Sequence, residues 1–237
     1  MDTRILAEQW GITGVAHGQR LQSYPTRTVH RITSDQGAFA VKVDEAPGPD
    51  PGAVQSAAAR ELPGSVAGIR RTLGGSLSAL HGECRITVYE DVCGGHPPAT
   101  PETWSALGTL LARLHAIPVS VRPFAVPIGA AASELERLSG DYSFAAEFRS
   151  LARRVREIQP SPAAAIVHGE VNLTNVLRRP TGELVLIDWD NAGAGPIALD
   201  LGYPLICVFL SESLEWNLPC AAAFYEAYRA ARTGPPP

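Results

Sequence analysis

The order of local patterns in this chain predicts an α+β fold in two lobes. A small, mixed, β-rich amino-terminal lobe would span residues 1–93 and a mainly helical carboxyl-terminal lobe residues 94–237. Three observations predict it. Short β-branched and apolar runs crowd the first half of the chain, and helical spacing of apolar residues takes over in the second. Between them stands a break, Gly94-Gly95 followed by Pro97-Pro98. A chain of 237 residues can bury the core of one large domain or of two small lobes.

Taken in order, Gln19–Leu21, Thr28–Thr33 and Ala38–Val43 read as strands, with Ser34-Asp35-Gln36-Gly37 as the turn between the last two. The Pro/Gly-rich stretch Ala46–Gly52 precedes a helix over about Val54–Leu62. After Gly74-Gly75 come two more strand-like runs, ending in Arg85–Tyr89. In the second half, Thr100 as N-cap and Pro101 at the first helical position start a helix. Trp104, Leu107, Leu110, Leu111 and Leu114 give it an apolar core stripe, and Pro118 marks its end. Two amphipathic helices are expected near Ala130–Leu138 and Phe144–Ile158. A strand-rich segment follows over Ala163–Asp190, then a closing helix around Glu215–Arg232 and a disordered Pro-rich tail.

Composition excludes several classes. With 45% hydrophobic and 19% charged residues, the chain is globular rather than disordered. A net charge of −4 argues against a nucleic-acid surface. The longest apolar stretch, Tyr203–Leu210, is too short to cross a bilayer, and the first residues lack the pattern of a secretory signal. Cys84, Cys93, Cys207 and Cys220 show neither CxxC spacing nor a disulfide framework, so reduced, buried thiols in a cytoplasmic protein are expected. All 20 basic residues but one are arginine, and the exception is Lys42. One ammonium in an arginine-rich chain asks for a local reason, and lysine is a common point-charge partner of phosphate.

The segment from His168 to Asp190 carries the chemistry. Asn175-Val-Leu-Arg178 and Glu183–Asp188 are extended runs joined by the turn Arg179-Pro-Thr-Gly182. A hairpin centred between Thr181 and Gly182 would set Asn175 opposite Asp188, with Cβ atoms ~4.5–5.5 Å apart on one face. An amide oxygen and a carboxylate so placed can share a hard cation such as Mg²⁺. Five residues before Asn175, Glu170 sits in a loop beside Gly169, where a carboxylate could accept the proton of an attacking hydroxyl.

This stretch resembles the catalytic and metal-binding segment of the aminoglycoside phosphotransferase and choline kinase family, a branch of the protein-kinase-like fold. The family carries His-Gly-Asp, an Asn five residues after that Asp, and then Ile-Asp-Trp/Phe-Glu/Asp. His168, Gly169, Asn175, Ile187, Asp188, Trp189 and Asp190 fit. Asp200, in Ala-Leu-Asp-Leu-Gly, resembles the element that supports the catalytic loop. Phe39-Ala-Val-Lys42-Val resembles the strand whose lysine grips the α- and β-phosphates. Glu61, on the next helix, is the expected partner of Lys42, and Tyr89-Glu90-Asp91-Val92 stands where the adenine-binding hinge should be.

The resemblance covers about Gly18 to Arg232. It implies an ATP- and Mg²⁺-dependent phosphotransferase acting on an alcohol. Glu170, Asn175 and Asp188 would be catalytic, Asn175 and Asp188 metal ligands, and Lys42, Glu61, Glu90 and Val92 nucleotide-binding residues. Asp190 and Asp200 are expected to support loops.

Two departures stand out. Glu170 occupies the place of the family's catalytic Asp, and displacement by about one methylene can cost ~100-fold in rate. That keeps open a pseudokinase-type protein that binds nucleotide or a partner with weak or no turnover. No GxGxxG precedes Lys42; Ser23–Thr28 would form the phosphate loop, with Arg27 as an added cation. His81-Gly82-Glu83 repeats the catalytic tripeptide, but no Asn follows at the right distance, so it reads as a strand connection. His115, ending an apolar helix, reads as a packed structural residue. From Gly94 onward the chain has 14 acidic and 11 basic residues, and Arg149, Arg153, Arg154 and Arg156 crowd the short insert before His168. A mixed-charge acceptor site is expected. It suits a neutral or weakly charged hydroxyl compound, or a peptide Ser/Thr presented with a protein partner, better than a polyamine.

Overall fold

The computed structural model describes residues 3–118, 133, 137, 143, 145–157, 165–211 and 215–232. The expected helix near Ala130–Leu138 and the Pro-rich tail lie outside the described residues, apart from positions 133 and 137. Among the described residues, no helix is long and apolar enough to cross a membrane.

The chain opens with a short helix, α1 (Arg4–Trp10), that the sequence reading missed. No side chain caps its start, and only Gly11, in the left-handed conformation at its end, signals it. Five strands follow: β1 (His17–Tyr24), β2 (Arg27–Ser34), β3 (Gly37–Asp44), β4 (Ala79–His81) and β5 (Cys84–Glu90). They form one antiparallel sheet in the order β1-β2-β3-β5-β4. The tight turn at Asp35-Gln36 joins β2 to β3 as expected, with Ser34 opposite Gly37. The repeated tripeptide His81-Gly82-Glu83 connects β4 to β5, with His81 opposite Cys84. One face of the sheet buries Ile32, Phe39, Val41, Ile86 and Val88 against Ile5, Leu6 and Trp10 of α1.

Helix α2 (Gly52–Glu61) lies between β3 and β4 in sequence but not in packing. Its Val54, Ala57 and Ala58, with Leu62 and Val66 beyond it, join the core of the helical half. That core is built on α3 (Pro101–His115), which starts at Thr100 and Pro101 as the sequence indicates. The Thr100 hydroxyl accepts from the Thr103 amide, a cap worth ~1 kcal/mol. Trp104, Leu107, Leu111 and Leu114 are fully buried and pack with Phe209, Phe224 and Tyr228. Gly108 permits the closest approach, because a Cβ there would stand 2.3 Å from the Phe224 carbonyl oxygen. The remaining helices are α4 (Ala145–Glu157), α5 (Ala198–Cys207) and α6 (Leu218–Ala231).

Two small ribbons complete the carboxyl-terminal half. β6 (Ala165–Val167) pairs with β9 (Gly193–Gly195), and β7 (Val176–Arg178) pairs with β8 (Leu184–Leu186). Residues 65–70 tie the ribbon to the sheet. The Leu186 amide donates to the Ser65 carbonyl and the Ala67 amide to the Leu186 carbonyl. A few residues on, the Arg70 amide donates to Val88 and the Glu90 amide to Gly68.

Cysteine burial differs from expectation. All four thiols are free, but only Cys220 is buried, while Cys93 and Cys207 are exposed. Cys93 follows β5 in the segment beside a cavity, and Cys207 is the last residue of α5.

Candidate active site

A cavity of about 400 Å³ opens between the sheet and the β7–β8 ribbon. Val29 and Ala40 wall it from the sheet, Ala67 from the connecting segment, and Leu177 and Ile187 from the ribbon. The segment Glu90–His96 runs along one side, and Arg27, Lys42, Asn175 and Asp188 gather at its polar end. An apolar slot ending in a few convergent polar groups, at this volume, is the usual form of a small-molecule site.

Lys42 faces Val29 on β2 and Thr87 on β5 from the middle of β3, and the residue is only 8% exposed. An ammonium so buried needs a countercharge. It has two: Asp188 Oδ1 at 3.5 Å, and Asp190 in a direct hydrogen-bonded pair. The expected partner, Glu61, is not one of them. Glu61 ends α2 with its side chain about half exposed, beside Arg60 at 3.9 Å. The side chain that α2 sends to the cavity is Gln55, 1% exposed, whose amide nitrogen donates to the Ala67 carbonyl at 2.7 Å. The helix enters the cavity through its first turns rather than its last, which sequence spacing alone does not reveal.

The ribbon register also differs from expectation. Val176 lies opposite Leu186, so Asn175 faces Ile187, whose amide donates to the Asn175 carbonyl at 3.0 Å. A one-residue shift would send Asp188 to the opposite face. The backbone corrects it, because Asp188 adopts the left-handed conformation, φ 57°, and both side chains line the same cavity. Aspartate is among the residues that tolerate this region. Asn175 Nδ2 donates to the Glu170 carbonyl at 3.0 Å, which leaves the amide oxygen as the end available to a cation. Asn175 and Asp188 therefore offer oxygen donors only, the set suited to a hard ion such as Mg²⁺. Among the described residues no group of three or more His, Cys, Asp or Glu side chains is arranged for a metal. A cation here would need further oxygens from its ligand, as Mg²⁺ with a polyphosphate has.

Glu170 does not line the cavity. Asn191 Nδ2 donates to one carboxylate oxygen at 3.0 Å, and the Tyr203 hydroxyl, on α5, donates to the other at 3.4 Å. Burial, with the nearby Glu170 charge, raises the Tyr203 pKa, so the phenol stays a donor. Sequence reasoning missed both partners, because nothing in the spacing ties α5 to the loop.

The loop itself is held by Asp200, which is fully buried. One of its oxygens accepts from the His168 amide at 2.8 Å and bonds His115 Nε2 at 3.0 Å. The other accepts from the Gly169 amide at 2.7 Å. Burial alone would raise this carboxyl's pKa, but the His115 hydrogen bond and charge, with His168, more than offset it and hold it below the ordinary aspartate value. Gly169 has φ 86°, and a Cβ there would meet the Asn191 carbonyl oxygen at 2.3 Å. His115 also bonds the Tyr228 hydroxyl at 2.8 Å, the structural role its position suggests.

Glu90 and Val92, expected at the hinge, both border the cavity. The Val92 carbonyl accepts from Arg179 Nη1 at 3.1 Å, and neighbouring Asp91 binds Arg31 at 2.6 Å.

Residues 18–236 match the profile of the family described as the phosphotransferase enzyme family. The chain belongs to that family. The fold of this phosphotransferase recurs in solved structures of low sequence identity. A spectinomycin phosphotransferase, in complex with ADP and spectinomycin, superposes with a TM-score of 0.66 at 19% identity, covering 95% of this chain and 78% of the other. A macrolide 2'-phosphotransferase from Brachybacterium faecium gives 0.64 at 17%, covering 98% and 82%. A choline kinase from Streptococcus pneumoniae gives 0.60 at 17%, covering 95% and 78%. These likenesses establish the bilobal, kinase-like fold. No curated protein sequence matches the chain.

Proposed function

We propose that this phosphotransferase moves the γ-phosphoryl group of ATP, with Mg²⁺, to a hydroxyl group of a small-molecule acceptor. The observation that carries the reading is the gathering of Lys42, Asn175 and Asp188 at the polar end of one apolar slot bordered by Glu90–Val92. The adenine would lie between Ala40 and Ala67 on one side and Leu177 and Ile187 on the other, with the hinge backbone at its edge. Lys42 would hold the α- and β-phosphates, and Asn175 and Asp188 the metal. Neutralising the charge that builds on the transferring phosphoryl group is what Mg²⁺ supplies when bound there. Glu170 would accept the hydroxyl proton, aimed by Asn191 and Tyr203. Positioning and charge complementarity do most of the work in such transfers.

The names of the structural neighbours, which include spectinomycin, macrolide and choline phosphorylation, support a small hydroxyl compound as the acceptor class. The lack of a large acidic excess in the carboxyl-terminal half, 14 acidic against 11 basic residues, favours a neutral or weakly charged one; a peptide hydroxyl presented by a partner protein is the other form that fits a mixed-charge site. Phosphate incorporation from labelled ATP across an acceptor panel tests the reading. Transfer to at least one hydroxyl compound supports it.

A second reading, nucleotide binding with little turnover, is favoured by one observation: both Glu170 oxygens are already engaged, on a side chain one methylene longer than the family's aspartate. A thermal shift with Mg·ATP but no transfer to any acceptor would decide for it.

A further inference from the structure

Arg27, the first residue of β2, lies at the polar end of the cavity. Its guanidinium lies 3.6 Å from Asp188 Oδ1 and forms a direct ion pair with Asp190, the same two carboxylates that Lys42 engages. Two cations from the sheet thus meet two anions from the loop after β8, all at 10–27% side-chain exposure. Arg27 Nε is buried and makes no hydrogen bond. The arginine is therefore held by charge through its terminal nitrogens, with donor capacity left over.

This arrangement conflicts with metal binding as it stands. A divalent cation entering at Asp188 meets a guanidinium at the same carboxylate, and two cations cannot share one oxygen environment without repulsion. A released guanidinium has a new partner beside it only if a polyphosphate is present, and its planar fork suits phosphate oxygens. The turn has no glycine-rich loop whose amides would do that work.

We infer that Arg27 is a second phosphate-binding cation that occupies the metal-side carboxylates until nucleotide arrives, so that it makes metal binding depend on nucleotide. This rests on the nucleotide-binding reading above. In the free protein Arg27 excludes divalent cations from Asp188. In the nucleotide complex it moves from carboxylate to phosphate and adds to the grip of Lys42.

The test compares wild type with Arg27→Gln and Arg27→Lys in two binding measurements. The first is Mn²⁺ binding to nucleotide-free protein, followed by the electron paramagnetic resonance signal of free Mn²⁺. The second is ATP binding by calorimetry in excess Mg²⁺. Arg27→Gln is expected to bind Mn²⁺ about fivefold more tightly without nucleotide, the scale of losing one partly exposed ion pair, and ATP at least about fivefold more weakly. Arg27→Lys, which keeps the charge without the fork, is expected to fall between on both. Opposite signs in the two measurements are the signature, since a variant that merely loosened the fold would weaken both. Wild type that binds Mg·ATP, with Arg27→Gln unchanged in both affinities or weakened in both, would overturn this inference alone. Wild type that binds no ATP would overturn the nucleotide reading and this inference with it.

Discussion

Lys42 Nζ stands 3.5 Å from Asp188 Oδ1, joining the centre of the amino-terminal sheet to the loop that leaves the β7–β8 ribbon. The contact brings the expected phosphate cation and the expected metal ligand within one phosphate's reach of each other. It also makes each residue's substitution informative about the other.

Lys42→Ala should lower ATP affinity or turnover about 100-fold or more, the scale of losing one charged contact to a transferring phosphate. Lys42→Arg should recover only part, because the fork does not reproduce a compact ammonium. Titration calorimetry and steady-state rates read both outcomes. Unchanged values in Lys42→Ala would remove the assignment.

Asp188→Asn should give a folded protein, since Lys42 keeps Asp190 as its partner. ATP binding by this variant should no longer respond to Mg²⁺. A full Mg²⁺ response would place the metal ligands elsewhere.

Glu170→Gln should retain ATP binding and lose transfer by about 100-fold or more, the range for general-base removal. Glu170→Asp is expected to keep activity or raise it, provided Asn191 and Tyr203 still reach the shorter side chain. Rates with a verified acceptor check both, and wild-type transfer by Glu170→Gln would show that the base is another group.

Asp200 predicts a pH dependence of stability. Its folded pKa lies below the ordinary value of ~3.9. The carboxylate therefore stabilises the native state above the unfolded pKa, and that contribution fades as pH falls through the folded one. Asp200→Asn should lower stability at neutral pH by about 2 kcal/mol or more, the scale of losing hydrogen bonds to a buried charge. It should also flatten the acid limb of the stability curve. Denaturant titrations at several pH values check it.

Gly169→Ala should destabilise the His168–Glu170 loop by about 2 kcal/mol, combining left-handed strain with the clash against Asn191. A melting temperature within a degree of wild type would contradict the geometry.

Much of this was legible in the sequence where spacing alone sets geometry. The strand runs flanking Lys42, the Thr100–Pro101 helix start and a hairpin between Asn175 and Asp188 all follow from local pattern, and the structure contains each of them. What was hidden depends on long-range packing. Glu61 lies on the anticipated helix, but the side chain of α2 that reaches the cavity is Gln55, near its start. The Asn175–Asp188 pairing missed by one residue because the turn closes between Arg179 and Glu183, and the positive φ that returns Asp188 to the cavity leaves no mark in the sequence. Tyr203 reaches Glu170 from an apolar run that gave no hint of polar work, and α1 lacks the side-chain cap that would have announced it.

The burial of α2 has a consequence for how the molecule assembles. Five side chains that precede the hinge in sequence, Val54, Ala57, Ala58, Leu62 and Val66, belong to the core around Trp104 and Phe224. A fragment starting at Gly94 would lack one wall of its own interior, and a fragment ending there would expose an apolar helix face. Neither half is then an autonomous folding unit. The chain should lose structure in a single cooperative transition, seen alike by probes in the sheet and in the helices. Truncations at the hinge should yield insoluble material rather than separate lobes.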